Sequence, residues 1–291
     1  MRRFFPIVLS YCVLTPFCAF GWWETGHQTV ARIAAAHLTP AARTRMARIL
    51  NVSDTPEAVA DALAKASTWA DDTKNETKTG EWHYIDLALQ DHKTDIPLRC
   101  KADNCAPVRI GLFAAQLANP PIEARWSQLD SLRYLIHFVG DVHQPLHAIS
   151  DADLGGNCER LDPPVDTAKN LHSLWDGGII RAMDVDDKAL AASLEQEIQG
   201  FDSARQAELV RGDQNDWAWE SHEVAIQDVY YKLHIPVEAP MFPANCSEAP
   251  AEITEFKVPV DTLYVDSMKP VVREQLIKGG LRLAKMLNES L

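Results

Sequence analysis

The chain has 291 residues and a formal net charge of −13, a length that suits one large domain or two small ones. The acidic balance disfavours a wide basic groove tracking long duplex DNA. It leaves room for short anionic substrates drawn to positive charge concentrated at one site.

Residues 1–21 read as a secretory signal peptide. Arg2 and Arg3 give a basic start, Phe4 to Phe20 is mostly apolar, and Ala19-Phe20-Gly21 puts small residues at the −3 and −1 positions before a cut between Gly21 and Trp22. The apolar run is too short to span a bilayer, and no later segment is long and apolar enough. The expectation is a soluble exported protein, secreted or periplasmic, that begins at Trp22. With Arg2 and Arg3 gone its charge becomes −15.

The mature chain reads as a succession of helices. The first, GHQTVARIAAAHL, turns Val30, Ile33, Ala34 and Leu38 inward. Thr39-Pro40 caps a second, through about Leu50. Thr55-Pro56 starts a third, running toward Trp69 and ending in Ala70-Asp71-Asp72, and the polar stretch Asp72 to Glu81 reads as a loop. Trp82 to Leu89 is too short to assign. A helix is expected from about Pro107 to Ala118, and another opens at Ser131 and stops at Gln144-Pro145. Asp151 to Lys169 reads as a long loop with Gly155-Gly156-Asn157 and Pro163-Pro164. Further helices are expected near 187–200, 203–210, 216–232 and 261–289, with a proline-rich connection from Pro236 to Pro259. No repeat or interdomain linker stands out, so residues 22–291 form one all-α domain with long loops and little or no strand.

Cys12 and Cys18 leave with the signal, so Cys100, Cys105, Cys158 and Cys246 remain. An even number in an oxidising compartment reads as two disulfides, with Cys100 and Cys105 closing a small loop and Cys158 left for Cys246. The competing reading, a structural zinc held by all four, lacks any C-x-x-C spacing.

The chemistry concentrates in SLRYLIHFVGDVHQPLH, residues 131–147. His137 and Asp141 lie one turn apart on one side of an apolar helix, where a carboxylate needs a partner or a metal. His172 and Asp176 repeat the His-x-x-x-Asp spacing in NLHSLWD. With His27, Asp71 in WAD, His83 and Asp86 in WHYID, and His147, the set exceeds what one tetrahedral ion needs. Nitrogen and carboxylate donors without thiolates suit catalytic zinc. Taken singly each residue has an ordinary role: a helix-end acid for Asp71, a solvated charge for Lys74, a core aromatic for Tyr84, a turn residue for Asn157.

In chain order the motifs WWETGH, WADD, WHYID, HFVGDVHQPLH, GGN and NLHSLWD resemble those of the S-one/P-one nucleases, a family of three-zinc, single-strand-preferring secreted enzymes with a phospholipase C/nuclease-type helical fold. The resemblance spans Trp22 to Asp176. It implies a zinc-dependent endonuclease that hydrolyses single-stranded DNA and RNA to 5′-phosphorylated products, with 3′-nucleotidase activity, nucleotides as further partners and no obligate protein partner. It assigns one zinc to Asp71, His83, His137 and Asp141, and a second to His147, His172 and Asp176. A third would use His27, Asp141 and the Trp22 amine and carbonyl, with Asp141 bridging. It places Asp71 and Lys74 in catalysis, Lys74 near the phosphate, Tyr84, Asp86 and Asn157 around a base, and Gly155 and Gly156 where backbone must approach closely. Trp23-Glu24-Thr25 departs from the small residue expected after the first Trp in fungal relatives, at the entrance to the site. The rival with the same architecture is a zinc phospholipase C, and a non-catalytic zinc-binding protein would explain the ligands but not Lys74, Tyr84 and Asn157.

Overall fold

The structure, a computed structural model, describes residues 22–236 and 241–291. The proposed signal peptide, residues 1–21, lies outside the described residues. Among those described, helix dominates, and no helix is long and apolar enough to cross a membrane.

The helices begin where local chemistry satisfies their first amides. α1 (Glu24–Ala36) is followed by α2 (Pro40–Leu50) and α3 (Pro56–Ala66). Thr39 and Thr55 each accept from the amide three residues on, with proline in the first turn. α4 (Trp69–Thr77) corrects the expected loop from Asp72 to Glu81, which is helical as far as Thr77. Its buried face is Ala70, Asp71 and Lys74, so it carries almost no apolar periodicity for a sequence to show. A single tight turn, Gly80–His83, then leads into an extended strap. Ile85 N donates to His147 O and Ser150 N to Leu87 O, which ties the strap alongside residues 147–150.

The short α5 (Ile96–Arg99) precedes α6 (Ala106–Ala118) and the central α7 (Gln128–Asp141). α7 starts three residues earlier than expected because Ser127 and Asp130 form a reciprocal capping box. From Tyr134 to Asp141 every residue of it is buried. α6, α1, α4 and α14 surround it, so its polar His137 and Asp141 can only face other buried groups. A short turn over Pro145–Ala148 brings His147 back toward α7.

The expected loop 151–169 carries a strand. β1 (Arg160–Val165) lies between antiparallel β2 (Ala168–Asn170) and parallel β3 (Lys257–Val258). β3 pairs only with Arg160 and Leu161, so Pro163 and Pro164 fall beyond its reach. A continuous helical segment follows from 171 to 181: α8 (Leu171–Ser173), a π turn over Leu174–Gly178, and α9 (Ile179–Arg181). α10 (Asp187–Gly200), α11 (Ser203–Leu209) and α12 (Gln214–Val224), which continues as a π turn over Ala225–Tyr231, agree with the expected helices. α13 (Ala251–Thr254) precedes α14 (Thr262–Ser290). Buried Arg282 on α14 donates to Leu209 O and Glu220 and meets His143 Nε2 at 2.9 Å, locking α14 to α12 and to the end of α7. Both expected disulfides are present, Cys100–Cys105 and Cys158–Cys246. The second anchors the Gly155–Asn157 loop to the segment near residue 246.

Candidate metal centre and active site

Six elements deliver the site. α1 supplies His27, α4 supplies Asp71 and Lys74, and the turn after it supplies His83. α7 supplies His137 and Asp141, the turn behind it His147, and the 171–181 segment His172 and Asp176. α1 reaches α7 because Gly140 has no side chain: a Cβ there would lie 2.7 Å from His27 Nδ1. The π turn carries Asp176, and such local widening of a helix is frequent at functional sites.

Three groups of convergent donors result: His27, His137 and Asp141; Asp71, His83 and His137; His147, His172 and Asp176. Around His137 Nε2, His83 Nδ1 lies at 3.0 Å, Asp141 Oδ2 at 3.2 Å and Asp71 Oδ1 at 3.6 Å. His83 Nδ1 is 3.0 Å from Asp141 Oδ2 and 3.5 Å from Asp71 Oδ1. Ligands about 2.0–2.1 Å from a tetrahedral ion are separated by roughly 3.3 Å, so these four atoms stand as the donors of one zinc would. The other Asp141 oxygen, Oδ1, faces His27 Nε2 at 3.4 Å and His147 Nδ1 at 3.5 Å. In the third group, Asp176 Oδ1 is 3.6 Å from His147 Nε2 and Oδ2 is 3.2 Å from His172 Nε2.

The donor set fits a bound metal on a second count. His27 Nε2, His172 Nε2 and both Asp141 oxygens are buried and make no hydrogen bond. Buried polar atoms left so cost several kcal/mol unless a cation takes them up. Meanwhile the opposite ring nitrogens are tied down by backbone: His137 Nδ1 to Ser67 O at 2.6 Å, His147 Nδ1 to His83 O at 3.0 Å, and His172 Nδ1 to Gly155 O at 2.6 Å. A metal-ligating histidine is oriented in this way. The clustered groups also shift one another's protonation. Burial lifts Asp176 to about 8, and although burial opposes it, the Asp141 and Asp71 carboxylates raise His137 to about 10. Burial and the neighbouring His137 depress His27 to about 4.

Of the residues expected around the substrate, Lys74 joins the donor groups. Buried Lys74 places Nζ 3.1 Å from Asp71 Oδ1. Tyr84 is exposed, directly after His83. Burial, then the Asp153 carboxylate, raises Asp86 to about 7. Asp153 Oδ2 in turn accepts from Gly156 N at 2.8 Å, so Asp86 and the glycine loop share Asp153 as a neighbour. Gly155 and Gly156 both have left-handed backbone, φ 61° and 79°, and a Cβ on Gly155 would lie 2.4 Å from Leu146 O. Asn157 donates to Leu154 O at 2.8 Å. Trp22 is fully buried just before α1, and Trp23 N donates to Asp176 O at 2.9 Å, which brings the start of the described chain against the His147–His172–Asp176 group.

Two buried polar residues escaped the sequence reading. Gln144, read only as a helix stop, is buried and donates from Nε2 to Asp176 Oδ1 at 2.6 Å while its Oε1 accepts from Leu146 N at 2.6 Å. It holds a carboxylate thirty-two residues away, and its place between His143 and Pro145 was the only available signal. Glu159 is fully buried with neither carboxylate oxygen hydrogen-bonded, and burial together with Asp153 and Asp151 raises it to about 8.

The profile of the S1/P1 nuclease family matches residues 22–291. The chain belongs to the S1/P1 nuclease family. Endonuclease 3 of Arabidopsis thaliana is 28% identical over 297 residues, covering 97% of this chain and 93% of the relative. Nuclease P1 of Penicillium citrinum is 28% identical, covering 92% and 97%. Nuclease S1 of Aspergillus oryzae is 31% identical over 184 residues, 60% of each chain. As a member of this family the chain is a nucleic-acid hydrolase with candidate metal-binding His/Asp groups, and the match favours the nuclease over the phospholipase C reading.

Proposed function

We propose that this protein is an exported zinc-dependent endonuclease that cleaves single-stranded DNA and RNA to 5′-phosphorylated products and removes the phosphate from 3′-nucleotides. The observation that carries the metal chemistry is the convergence of buried, unbonded imidazole and carboxylate atoms at tetrahedral spacings, with two oxygens of Asp141 facing different imidazoles. Three zinc ions would occupy these groups, with Asp141 shared and the Trp22 amine completing the His27–Asp141 set after cleavage at Gly21. Together such ions supply an activated water, charge for the phosphoryl oxygens and stabilisation of the leaving 3′-oxygen.

The chain's own residues do the rest. Asp71 Oδ1 faces His83 and His137, and its carboxylate would orient the attacking water. Lys74, held against Asp71, adds positive charge where negative charge develops on the phosphate. The exposed Tyr84 ring can stack on a base of any identity, because every base has a π-face. A duplex hides those faces, which accounts for a single-strand preference. Asp86 and Asn157 offer polar groups to a base edge.

Incubating the purified mature protein with single-stranded DNA, RNA and phosphatidylcholine, with chelator and after zinc is restored, tests this. Cleavage that needs zinc and leaves 5′-phosphates supports it. Products ending in 3′-phosphates, or hydrolysis of the lipid alone, would contradict it.

A further inference from the structure

A phosphodiester has a nucleoside on each side, and the Tyr84–Asn157 surface accounts for one. A cavity of about 570 Å³ opens on the other flank of the donor groups, with His27 and Asp71 in its wall and none of Tyr84, Asp86 or Asn157. Its volume is in the range of small-molecule sites. Trp23, Glu24, Asp72 and Arg181 supply its remaining chemistry.

Trp23 and Arg181 form a built pair. The Arg181 guanidinium lies over the Trp23 ring, 3.9 Å from its centroid. The ring also packs on Gly177, where a Cβ would come within 2.6–2.8 Å of it. Gly177 and Arg181 are one turn apart on the same helical segment, so the indole lies along that face with its remaining surface toward the cavity. Arg181 is steered by Nε donating to Asp166 Oδ2 at 2.6 Å, while its two terminal nitrogens are buried and have no hydrogen-bond partner. Unsatisfied guanidinium donors favour phosphate oxygens, which they bind in pairs. Glu24 and Asp72 offer carboxylate acceptors to the amino groups of a base.

We propose that this cavity is the subsite for the nucleotide downstream of the scissile phosphate, the one that leaves with the 5′-phosphate. The guanidinium turns from the Trp23 ring toward the cavity, so that the base packs on Trp23 and the next phosphate along the strand pairs with Arg181. The inference rests on the endonuclease reading above. It makes Trp23 a specificity determinant for the strand beyond the cleaved bond. It also separates the two activities, because a 3′-mononucleotide has no downstream nucleoside and a longer strand does.

The test compares hydrolysis of trithymidylate with that of thymidine 3′-monophosphate in the wild-type holoenzyme, Arg181→Gln and Trp23→Leu, and adds calorimetric titration with thymidine 5′-monophosphate. In both variants kcat/KM on the trinucleotide should fall about tenfold relative to the mononucleotide, and Kd for the 5′-nucleotide should rise at least about fivefold in Trp23→Leu. Arg181→Lys, which keeps charge but loses the fork, should fall between. Wild-type ratios in both variants with an unchanged Kd would overturn the subsite while leaving the endonuclease reading intact. A wild-type protein that cleaves no oligonucleotide would instead overturn the reading on which it rests. Should one variant fail to fold, the trinucleotide-to-mononucleotide ratio in the other decides.

Discussion

Asp141 has no exposed surface, and its two oxygens face four imidazole nitrogens at 3.0–3.5 Å. An amide in its place keeps the shape but loses the charge that two cations would share. Asp141→Asn is therefore expected to lose at least one of three zinc ions and to lower kcat by about 100-fold or more, read by metal analysis and steady-state kinetics. Full zinc content would contradict the bridge. Glu159 makes a different claim. Its pKa rises from 4.5 in the unfolded chain to about 8 in the fold, so the folded state binds the extra proton. That contribution is fully present below pH 4.5 and is lost as pH rises through about 8. Urea unfolding of the chelated protein should show stability declining between pH 5 and 9, and Glu159→Gln should flatten the decline, gaining about 2 kcal/mol at pH 9. Parallel wild-type and variant curves would show that another group carries the proton.

At the scale of elements, the site depends on how closely two helices approach. Gly140 lets α1 lie against α7 so that His27 reaches Asp141. The methyl of Gly140→Ala would stand 2.7 Å from His27 Nδ1, and overpacking of that kind costs about 1–3 kcal/mol. The expected result is a stable fold that has lost the ion of the His27 group, seen as two zincs rather than three by native mass spectrometry. Three retained zincs would mean that α1 can shift without cost to the site. The same elements show what a sequence can disclose. α7 was legible because its apolar residues recur at helical spacing and make His137 and Asp141 conspicuous. The candidate metal-binding groups stood out because His and Asp pairs recur at one spacing along the chain. α4 was not, because the face it buries is Asp71 and Lys74, and a polar buried face looks like a loop. β1 was hidden by Pro163-Pro164, and Gln144 by its second duty as a helix stop. Gly140 carries no signal at all until α1 is seen beside it.

Across the whole molecule, residues from 27 to 176 converge on one cluster, and the remaining helices hold that arrangement from behind through contacts such as Arg282 with His143. The N-terminus is part of the same design if Trp22 binds through its own amine. A free α-amino group has a pKa near roughly 8 and yields its proton to a metal at modest cost, whereas a peptide nitrogen does not. Mature protein carrying one extra methionine before Trp22 should fold but bind two zincs, with turnover reduced more than substrate binding. Three zincs and unimpaired cleavage would remove Trp22 from the ligands. The central claim, that the three donor groups are a metal centre, is tested most directly by anomalous diffraction at the zinc edge from crystals of the mature protein. Three peaks are predicted, one within each donor group, with Asp141 between two of them. A map without peaks at His137, Asp141 and Asp176 would contradict it.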